Sequence, residues 1–289
     1  MGGPKSGGLR LPSLSAADFR RLGEFVRART GIKVTEGKKT LFESRLQKRL
    51  KQLGLGDFGR YCEFLFSDEG IKTELHLMID AVTTHKTDFF REPDHFDFLS
   101  GAALPELLAM PGKARIQVWS AACSTGEEPY TIAMALCEYG KKLASGNLDF
   151  IVLASDISAG VLRSARRAIY AEQQIAPIPI HLRKKYLLRS KDRTKGLFRI
   201  APEVRVRVSF FSFNLAQDDF ERIFPDQADI IFCRNVVIYF DRYVQEKLMR
   251  RICGKLSPGG FLFMGHAEAI HGPGLPLVKV APSVYRRIA

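Results

Sequence analysis

The fold is decided by residues 114–130, ARIQVWSAACSTGEEPY. This stretch begins with the apolar pattern of a buried strand, breaks at small residues from Ser120 to Gly126, and restarts as a helix after Glu127 and Glu128. A strand, a tight turn and a helix in this order bring a ligand to the carboxyl edge of a parallel sheet, where open α/β folds bind nucleotides. The stretch therefore predicts a nucleoside-binding α/β fold, with an ordinary strand-to-helix crossover as the alternative.

The loop in this stretch lacks a phosphate-binding fingerprint. No G-x-G-x-x-G pattern is present, and Glu127 and Glu128 stand where a pyrophosphate would need donors and no negative charge. The hydroxyl or amino groups of a nucleoside without phosphates could instead donate hydrogen bonds to these carboxylates. S-adenosylmethionine answers this description, and we expect it as the cofactor.

Size and composition indicate a globular protein. The chain has 289 residues, enough for one large domain or two smaller ones. No run approaches about 18 consecutive apolar residues and the N-terminus lacks an apolar signal-peptide core, so we expect a cytoplasmic protein without membrane insertion. The five cysteines and six histidines show no C-x-x-C or H-E-x-x-H spacing, so neither a disulfide framework nor a metal site is indicated.

The net charge of +13 and the pI of about 9.6 imply an acidic partner. The partner could be a nucleic acid, an anionic membrane surface or an acidic protein, and the sign of the charge does not choose among them. Basic side chains crowd one short N-terminal region, and they are Lys33, Lys38, Lys39, Arg45, Lys48, Arg49 and Lys51. A solvated helix face is the alternative interpretation of this cluster.

Changes of pattern divide the chain into regions. Residues 1–12 are rich in Gly and predict a disordered lead-in. Residues 13–84 predict a small all-α domain, because amphipathic helical patterns recur along them. We expect the first helix between a cap at Ser15 and a stop at Gly31, and the others at about 35–53, 57–66 and 71–82. Residues 85–99, interrupted by Pro93, predict a linker.

Residues 100–289 predict the ligand-binding domain. Strands and helices alternate along most of this region, which is typical of a doubly wound, mostly parallel sheet. Residues 177–208 break the rhythm with a basic helix, HLRKKYLL, followed by two alternating runs, GLFRIAP and VRVRVSFF. We expect these runs to form a small antiparallel β insert. A final pair of short strands is expected between Leu277 and Ile288.

Polar residues follow several of the predicted strands. Asp156 closes the second strand of the sheet, where an acid can accept hydrogen bonds from ribose hydroxyls; the alternative is a cap for the helix beginning near Ser158. Asn214 follows the run VSFFSF, and Arg234 and Asn235 follow the strand DIIFC. The alternative for Asn214 is a residue that forms a turn, and the alternative for Asn235 is a helix cap. Because the carboxyl ends of parallel strands share one edge, we expect these side chains to meet there.

Arg91 and Tyr239 are the remaining candidates. Arginine stays protonated in proteins, so Arg91 cannot act as a general base, but its planar fork can hold a carboxylate with two hydrogen bonds. Tyr239, in VIYFD, could donate a hydroxyl or pack its ring against a sulfonium methyl. A plain core aromatic is the alternative for Tyr239.

Six motifs together resemble a known family. In chain order they are TTHKTDFFRE, WSAACSTGEEPY, ASDIS, FFSFNLA, FCRNVVIYFD and GGFLFMGHAE. Their order and separations resemble the CheR family of chemotaxis receptor glutamate methyltransferases, over nearly the whole chain from about Ser15. The resemblance implies that residues 100–289 form a class I S-adenosylmethionine-dependent methyltransferase domain. It also implies that the protein forms γ-glutamyl methyl esters on methyl-accepting chemotaxis receptors and releases S-adenosylhomocysteine.

The resemblance also implies the residues of the site. The implied cofactor contacts are His85, Thr87, Arg91, Glu128, Asp156, Asn214, Leu215, Arg234 and Asn235. The residues implied in methyl transfer are Arg91 and Tyr239. The family usually has Asn at the position of His85, which is bulkier but can still donate or accept a hydrogen bond. Some members grip a receptor peptide with a Gly-rich loop of the insert, whereas this chain has the charged stretch RSKDRTKG there.

The implied chemistry agrees with these residues. A glutamate carboxylate is ionised at pH 7, so its methylation needs no general base, and positioning is the main task. We expect the basic helix around Lys38–Lys51 to face the Glu-rich cytoplasmic helices of a receptor, and we expect a monomer that binds no nucleic acid.

Two other functions stay open at this point. A nucleic-acid methyltransferase that acts on amines would usually show a Pro-Pro motif after the fourth strand, where this chain has RNVVIYF. A non-catalytic module that senses the cofactor or docks on receptors is the other alternative.

Overall fold

A computed structural model describes residues 12–222 and 227–288 of the chain. It contains two units, which meet in the sequence between Thr84 and His85, and each unit buries apolar residues of its own. The predicted disordered lead-in, residues 1–12, lies outside the described residues except for its last position. In the part of the chain that is described, no helix combines the length and apolar character needed to cross a bilayer.

The first unit is helical, as predicted. Within residues 12–84 the elements are α1 (Ala16–Thr30), a 3₁₀ turn (Glu36–Lys38), α2 (Lys39–Leu53), α3 (Phe58–Phe66), α4 (Asp68–Thr73) and α5 (Leu75–Val82). Helix α1 starts and stops at the expected residues, because Ser15 accepts a hydrogen bond from the Asp18 N–H and Gly31 closes the helix with a left-handed φ of 74°. The all-α character predicted for this region is confirmed.

The helix predicted at about 71–82 is interrupted, and the prediction was wrong on this point. Glu74 separates α4 from α5 and turns its carboxylate inward. There it accepts hydrogen bonds from Arg49 Nε at 2.9 Å and from the Tyr61 hydroxyl at 2.9 Å, and its side chain is 1% exposed. A pattern of apolar residues does not show which carboxylate is buried, so the interruption is not visible in the sequence.

The second unit is built on a seven-stranded sheet. The strands of this unit are β1 (Arg115–Ala121), β2 (Asp149–Asp156), β3 (Ile169–Ala171), β4 (Leu187–Arg189), β5 (Leu197–Ile200), β6 (Val208–Ser212), β7 (Ala228–Cys233), β8 (Leu256–Met264), β9 (Leu277–Ala281) and β10 (Val284–Arg287). The large sheet has the order β6-β2-β1-β7-β8-β10-β9. Its first five strands are parallel, and β10 pairs antiparallel with β8 and β9. The predicted mostly parallel sheet and the final pair of strands are confirmed.

The helices of the second unit pack against this sheet or, for the two short helices between residues 172 and 186, against the small sheet formed by β3, β4 and β5. They are α6 (Asp94–Phe98), a π-helical turn (Leu99–Ala103), α7 (Leu104–Leu108), α8 (Glu127–Gly140), α9 (Ala159–Arg167), α10 (Glu172–Ile175), α11 (Ile180–Tyr186), α12 (Pro202–Arg205) and α13 (Arg242–Lys255). The core includes the stacked rings of Phe232 and Phe263, whose centroids lie 4.4 Å apart. Residues 85–99, predicted as a linker, fall within this unit and contribute Phe89 and Phe96 to its core.

The antiparallel insert differs in part from its prediction. It is a three-stranded sheet in the order β3-β5-β4, and β3 lies before the expected start at residue 177. The run GLFRIAP supplies β5, but VRVRVSFF does not belong to the insert. Val208–Ser212 instead form β6, the edge of the large sheet, paired parallel with β2. An edge strand is half exposed and shows the same alternation as an antiparallel strand, which is why this part of the prediction was wrong.

The topology brings several strand ends together. From β1 the chain moves outward through β2 to β6, and then crosses to β7 on the other side of β1. The strand order therefore reverses between β1 and β7, and ligands of open α/β sheets bind at the carboxyl ends of the strands at such a point. The loops after β1, β2, β6 and β7 surround the expected site.

Candidate functional site

Asp156, at the end of β2, holds the loop after β1. Its Oδ2 accepts a hydrogen bond from the Ser124 N–H at 2.9 Å, and its Oδ1 accepts one from the Ser158 N–H at 2.9 Å. Ser158 itself caps α9 by accepting a hydrogen bond from the Val161 N–H, so Asp156 is not the cap of that helix. A carboxylate at this strand end is suited to accept hydrogen bonds from a nucleoside.

Gly126 closes the same loop where α8 begins. Its φ is 99°, and a Cβ at this position would lie 3.0 Å from both the Ala165 Cβ and the Tyr170 hydroxyl oxygen. The Tyr170 hydroxyl donates a hydrogen bond to the Thr125 carbonyl at 2.8 Å. Only glycine fits this combination of backbone angle and close approach, so the path of the loop between β1 and α8 is fixed.

The two carboxylates at the start of α8 have different surroundings. Glu127 is 2% exposed and accepts a hydrogen bond from the Thr125 hydroxyl at 2.6 Å. Burial raises the pKa of Glu127 to about 6. Glu128 accepts a hydrogen bond from the Ser120 hydroxyl at 2.7 Å; burial raises its pKa as well, and the charge of Arg234 offsets part of that effect. Of the two acids that the sequence offered as nucleoside acceptors, Glu127 is buried within the protein, whereas the Glu128 side chain is 13% exposed and pairs with Arg234.

Arg234 is the centre of a buried ion cluster. Its side chain is 2% exposed. Nε and Nη2 donate to Glu92 Oε2 at 3.2 and 2.9 Å, Nη1 donates to Glu128 Oε2 at 3.2 Å, and Nη2 also donates to the Arg91 carbonyl. Burial opposes the charge of Glu92, but Arg234 outweighs burial and holds the pKa of Glu92 below its ordinary value. The cluster therefore joins the segment of Arg91 to β7 and α8.

The segment from His85 to Arg91 is tied to the loop after β1. The His85 carbonyl accepts a hydrogen bond from Ser124 Oγ at 2.9 Å. Arg91 donates from Nη1 to the Lys86 carbonyl at 3.3 Å. Thr87, which lies between these two residues in the chain, is half-buried. Of the three predicted residues of this segment, His85 thus contacts the loop that Asp156 holds, and the Arg91 carbonyl contacts Arg234.

Asn214 and Leu215 follow the edge strand β6. In that strand Ser212 is the register partner of Asp156. Asn214 Oδ1 accepts a hydrogen bond from the Ala216 N–H at 3.0 Å, which is an Asx turn, and Leu215 is 6% exposed. Asn214 therefore forms the turn that the sequence allowed for it, directly after the strand end that neighbours Asp156.

Asn235 and Tyr239 lie in the loop after β7. Asn235 has a left-handed backbone with a φ of 58°, which asparagine tolerates better than most residues. Its N–H donates to the Glu268 carboxylate at 2.8 Å. Tyr239 ends a 3₁₀ turn, Val237–Tyr239, and is half-buried, so it is not a fully buried core aromatic.

Sequence reasoning missed two carboxylates that hold the site together, Glu92 and Glu268. Each is the last residue of a quoted motif, TTHKTDFFRE or GGFLFMGHAE, so those motifs contained the available signal. Glu92 meets Arg234 across 142 residues of chain, and Glu268 meets Asn235 across 33. Pairings over such separations cannot be identified in a single sequence.

Glu92 also belongs to a group that could hold a metal ion. Its ligand atom and those of His95 and His266 lie within 4.8 Å of one another, although their spacing in the chain matches no common metal motif. His95 is 1% exposed, and burial lowers its pKa to about 4. The Glu92 carboxylate already accepts two hydrogen bonds from Arg234, so it has a role in the fold that needs no metal.

The fold and the site define an α/β nucleoside-binding protein, with acids after β1 and β2 at the point where the strand order reverses. Comparison with known families is more specific. Residues 85–279 match the family model described as CheR methyltransferase, SAM binding domain, and residues 17–83 match the one described as CheR methyltransferase, all-alpha domain. The chain therefore belongs to the CheR methyltransferase family, as predicted, and its cofactor is S-adenosylmethionine.

Curated relatives cover most of the chain. A protein of Klebsiella aerogenes named chemotaxis protein methyltransferase is 41% identical over 90% of this chain and 85% of its own length. Proteins with the same name from Borreliella burgdorferi and Escherichia coli are each 38% identical. The first covers 95% of both chains, and the second covers 89% of this chain and 85% of its own length.

Proposed function

We propose that this protein methylates glutamate side chains of chemotaxis receptors, forming γ-glutamyl methyl esters and S-adenosylhomocysteine. The coarser statement follows from the family: the protein is an S-adenosylmethionine-dependent methyltransferase of chemotaxis. The choice of a receptor glutamate as the acceptor is supported by the resemblance of the six motifs and by the chemistry of the site.

The observation that carries the proposal is the difference between two neighbouring arginines. Arg234 is buried and donates to Glu92, to Glu128 and to a backbone carbonyl. Arg91 is half-buried, and among the described residues its guanidinium donates to one partner, the Lys86 carbonyl. Its other N–H donors form a planar fork that suits a carboxylate. A glutamate acceptor presents that group.

The acids of the site fit S-adenosylmethionine, because its nucleoside carries hydroxyl and amino donors and no phosphate. When bound, it supplies a methyl group on a positively charged sulfur. Asp156 and Glu128 would accept hydrogen bonds from the nucleoside. The other residues proposed to contact the cofactor are His85, Thr87, Asn214, Leu215, Arg234 and Asn235. Tyr239 would bring its half-buried ring beside the reacting methyl.

The chain's task in this reaction is alignment. The acceptor carboxylate is ionised at pH 7, so no residue of the protein has to remove a proton. Arg91 would hold that carboxylate in line with the methyl group. Because an anion reacts with a cation, charge cancels in the transition state, and exclusion of water together with fixed orientation would supply most of the acceleration. The buried cluster around Arg234 holds the Arg91 segment in place for this.

The first unit would bind the receptor through basic side chains on and near α2. Lys33, Lys48 and Lys51 are exposed. Arg45 donates instead to backbone carbonyls at the end of α5, and Arg49 binds the buried carboxylate between α4 and α5. The lysines, and not these two arginines, are therefore the cations that an acidic receptor helix would meet.

Transfer of label from radioactive S-adenosylmethionine tests the proposal. The protein is incubated with the cytoplasmic helices of a chemotaxis receptor and, separately, with nucleic acid. We expect label on receptor glutamates that is released by mild base, because methyl esters hydrolyse under these conditions. Label on nucleic acid, or binding of S-adenosylhomocysteine without label on any acceptor, refutes the proposal.

The role of Arg91 is tested with Arg91→Lys, which keeps the charge but loses the planar fork. We expect kcat/KM for the receptor to fall about 100-fold, the equivalent of one or two charged hydrogen bonds, without a change in Tm. The matched control is Arg286→Lys, at a half-buried arginine whose Nη1 lies 3.0 Å from Glu106, and it should keep full activity. An R91K variant as active as the control contradicts the assignment.

The two alternative functions are less well supported. The family matched by residues 85–279 is a methyltransferase family, and the related proteins are named for chemotaxis rather than for nucleic acids. We expect the protein to act as a monomer in the cytoplasm, where the modified helices of the receptors lie. Light scattering of the purified protein checks the monomer.

A further inference from the structure

The carboxylate of Glu268, just after β8, is enclosed by backbone N–H groups. Oε2 accepts hydrogen bonds from Gly265 at 2.7 Å and Asn235 at 2.8 Å, and Oε1 accepts them from Val237 at 2.8 Å and Ile238 at 3.4 Å. Glu268 is 8% exposed. Three of these four donors belong to the loop after β7, which also carries Tyr239. A single side chain therefore fixes the backbone of that loop.

The shape of the loop depends on this anion. Asn235 has a positive φ of 58°, and successive N–H groups around such a residue form a concave nest that binds a negative charge. In phosphate-binding loops the anion held by such a nest is a ligand, whereas here the protein supplies the anion. The carbonyl side of the loop is held separately, because Gln245 Nε2 donates to the Val237 carbonyl at 3.0 Å and to the Phe240 carbonyl at 3.1 Å.

Gly265 lies close to both Asn235 and Glu268. A Cβ on Gly265 would lie 2.5 Å from Asn235 Nδ2 and 2.9 Å from Glu268 Oε2. The Asn235 side chain is thus held against Gly265 while its N–H is held by Glu268. Small changes at Gly265 or at Glu268 would therefore move the Asn235 amide.

We propose that Glu268 is a positioning residue for the methyl transfer, setting the placement of Asn235 and Tyr239 through the backbone between them. This inference rests on the proposed function, in which Asn235 contacts the cofactor. Glu268 would touch neither cofactor nor acceptor. Its carboxylate is required because only an ionised carboxylate offers acceptor lone pairs on both oxygens to four donors.

The substitution Glu268→Gln tests this requirement with little change in shape. The amide keeps one acceptor oxygen and turns an NH₂ group toward two backbone N–H donors, so two hydrogen bonds are lost and two buried donors lose their partners. We expect the Kd for S-adenosylhomocysteine, measured by calorimetry, to rise about 10-fold or more.

The matched control is Asp229→Asn, at the opposite end of β7. Asp229 is 1% exposed, and its Oδ2 accepts a hydrogen bond from the Gln117 N–H at 2.9 Å. We expect D229N to lower Tm while Kd stays within about twofold of the unmodified protein. Equal effects of D229N and E268Q on Kd would mean that Glu268 is only structural, and the inference would be wrong.

A double-mutant cycle with Asn235→Ala distinguishes positioning from an independent contribution. If Glu268 acts through Asn235, E268Q should add less than about twofold to the Kd of N235A, whereas independent effects would multiply and overturn the inference. Gly265→Ala displaces the Asn235 amide by another route and replaces E268Q if that variant does not fold. An N235A variant with unchanged Kd refutes the contact of Asn235 with the cofactor and this inference with it, but it leaves the methylation reaction, tested by label transfer, standing.

Discussion

Replacing Arg234 with methionine would remove the cation from a buried site that holds two carboxylates. Arg234 is 2% exposed, and the side chains of Glu92 and Glu128 are each 13% exposed. Water can therefore reach these carboxylates only slightly after the substitution. Removing one partner of a buried ion pair typically costs about 3–5 kcal/mol, and we expect the free energy of unfolding of the second unit to fall by about this amount at pH 7.

The loss should depend on pH in a defined direction. Arg234 holds the pKa of Glu92 below its ordinary value, so this stabilisation is present above the unfolded pKa of about 4.3 and is lost as the pH falls through the folded pKa. In the variant both carboxylates can instead take up protons and become neutral. The difference in stability between the two proteins should thus be largest near pH 7 and shrink toward pH 4.

Urea unfolding followed by tryptophan fluorescence measures this difference. Trp119 is the only tryptophan of the chain; it lies in β1, is 1% exposed, and donates a hydrogen bond to the Ser155 hydroxyl at 3.0 Å, so it reports on the second unit. Arg234→Lys keeps the charge without the planar fork, so its free energy of unfolding should lie between those of R234M and the unmodified protein. An R234M variant within about 1 kcal/mol of the unmodified protein at pH 7, or a loss equal at pH 4.5 and 7.5, refutes the reasoning.

Three further outcomes are expected. Gly126→Ala should lower the stability of the second unit by about 2–4 kcal/mol, because a Cβ would meet the Tyr170 hydroxyl and φ is positive; unchanged urea unfolding contradicts this. Burial raises the pKa of Glu127 to about 6, so folding favours its protonated form and the ionised form costs about 2 kcal/mol above that pH. Glu127→Gln should therefore make the free energy of unfolding fall less between pH 4.5 and 7 than it does in the unmodified protein. The same pH dependence in both proteins would contradict this. Reversal of Lys48 and Lys51 to Glu should slow receptor methylation several-fold at low salt and leave S-adenosylhomocysteine binding intact, whereas equal rates with the reversed and unmodified proteins exclude this docking surface.

Local patterns determined most of the fold. The cap at Ser15, the left-handed Gly31 and the apolar strand before Ser120 act within a few residues of chain, so a sequence contains them fully. The strand-end positions of Asp156 and Asn235 follow from the same local rule, combined with the fact that parallel strands share one carboxyl edge. The edge strand β6 was misassigned because local alternation is the same for both kinds of half-exposed strand.

Only the tertiary structure decided how the charged side chains are used. The basic cluster looks uniform in the sequence, yet Arg49 binds a buried carboxylate while Lys48 is exposed. Arg234 likewise became the centre of an ion cluster because Glu92 is brought to it from 142 residues away, and Glu268 became the anion of a backbone nest. The partner and the burial of a charge depend on which distant segments the fold brings together, and the energy of a charge is set by those two quantities. The sequence by itself therefore determined most of the elements and the family, and the packing of the chain determined which of its charges hold the site and which remain for a ligand.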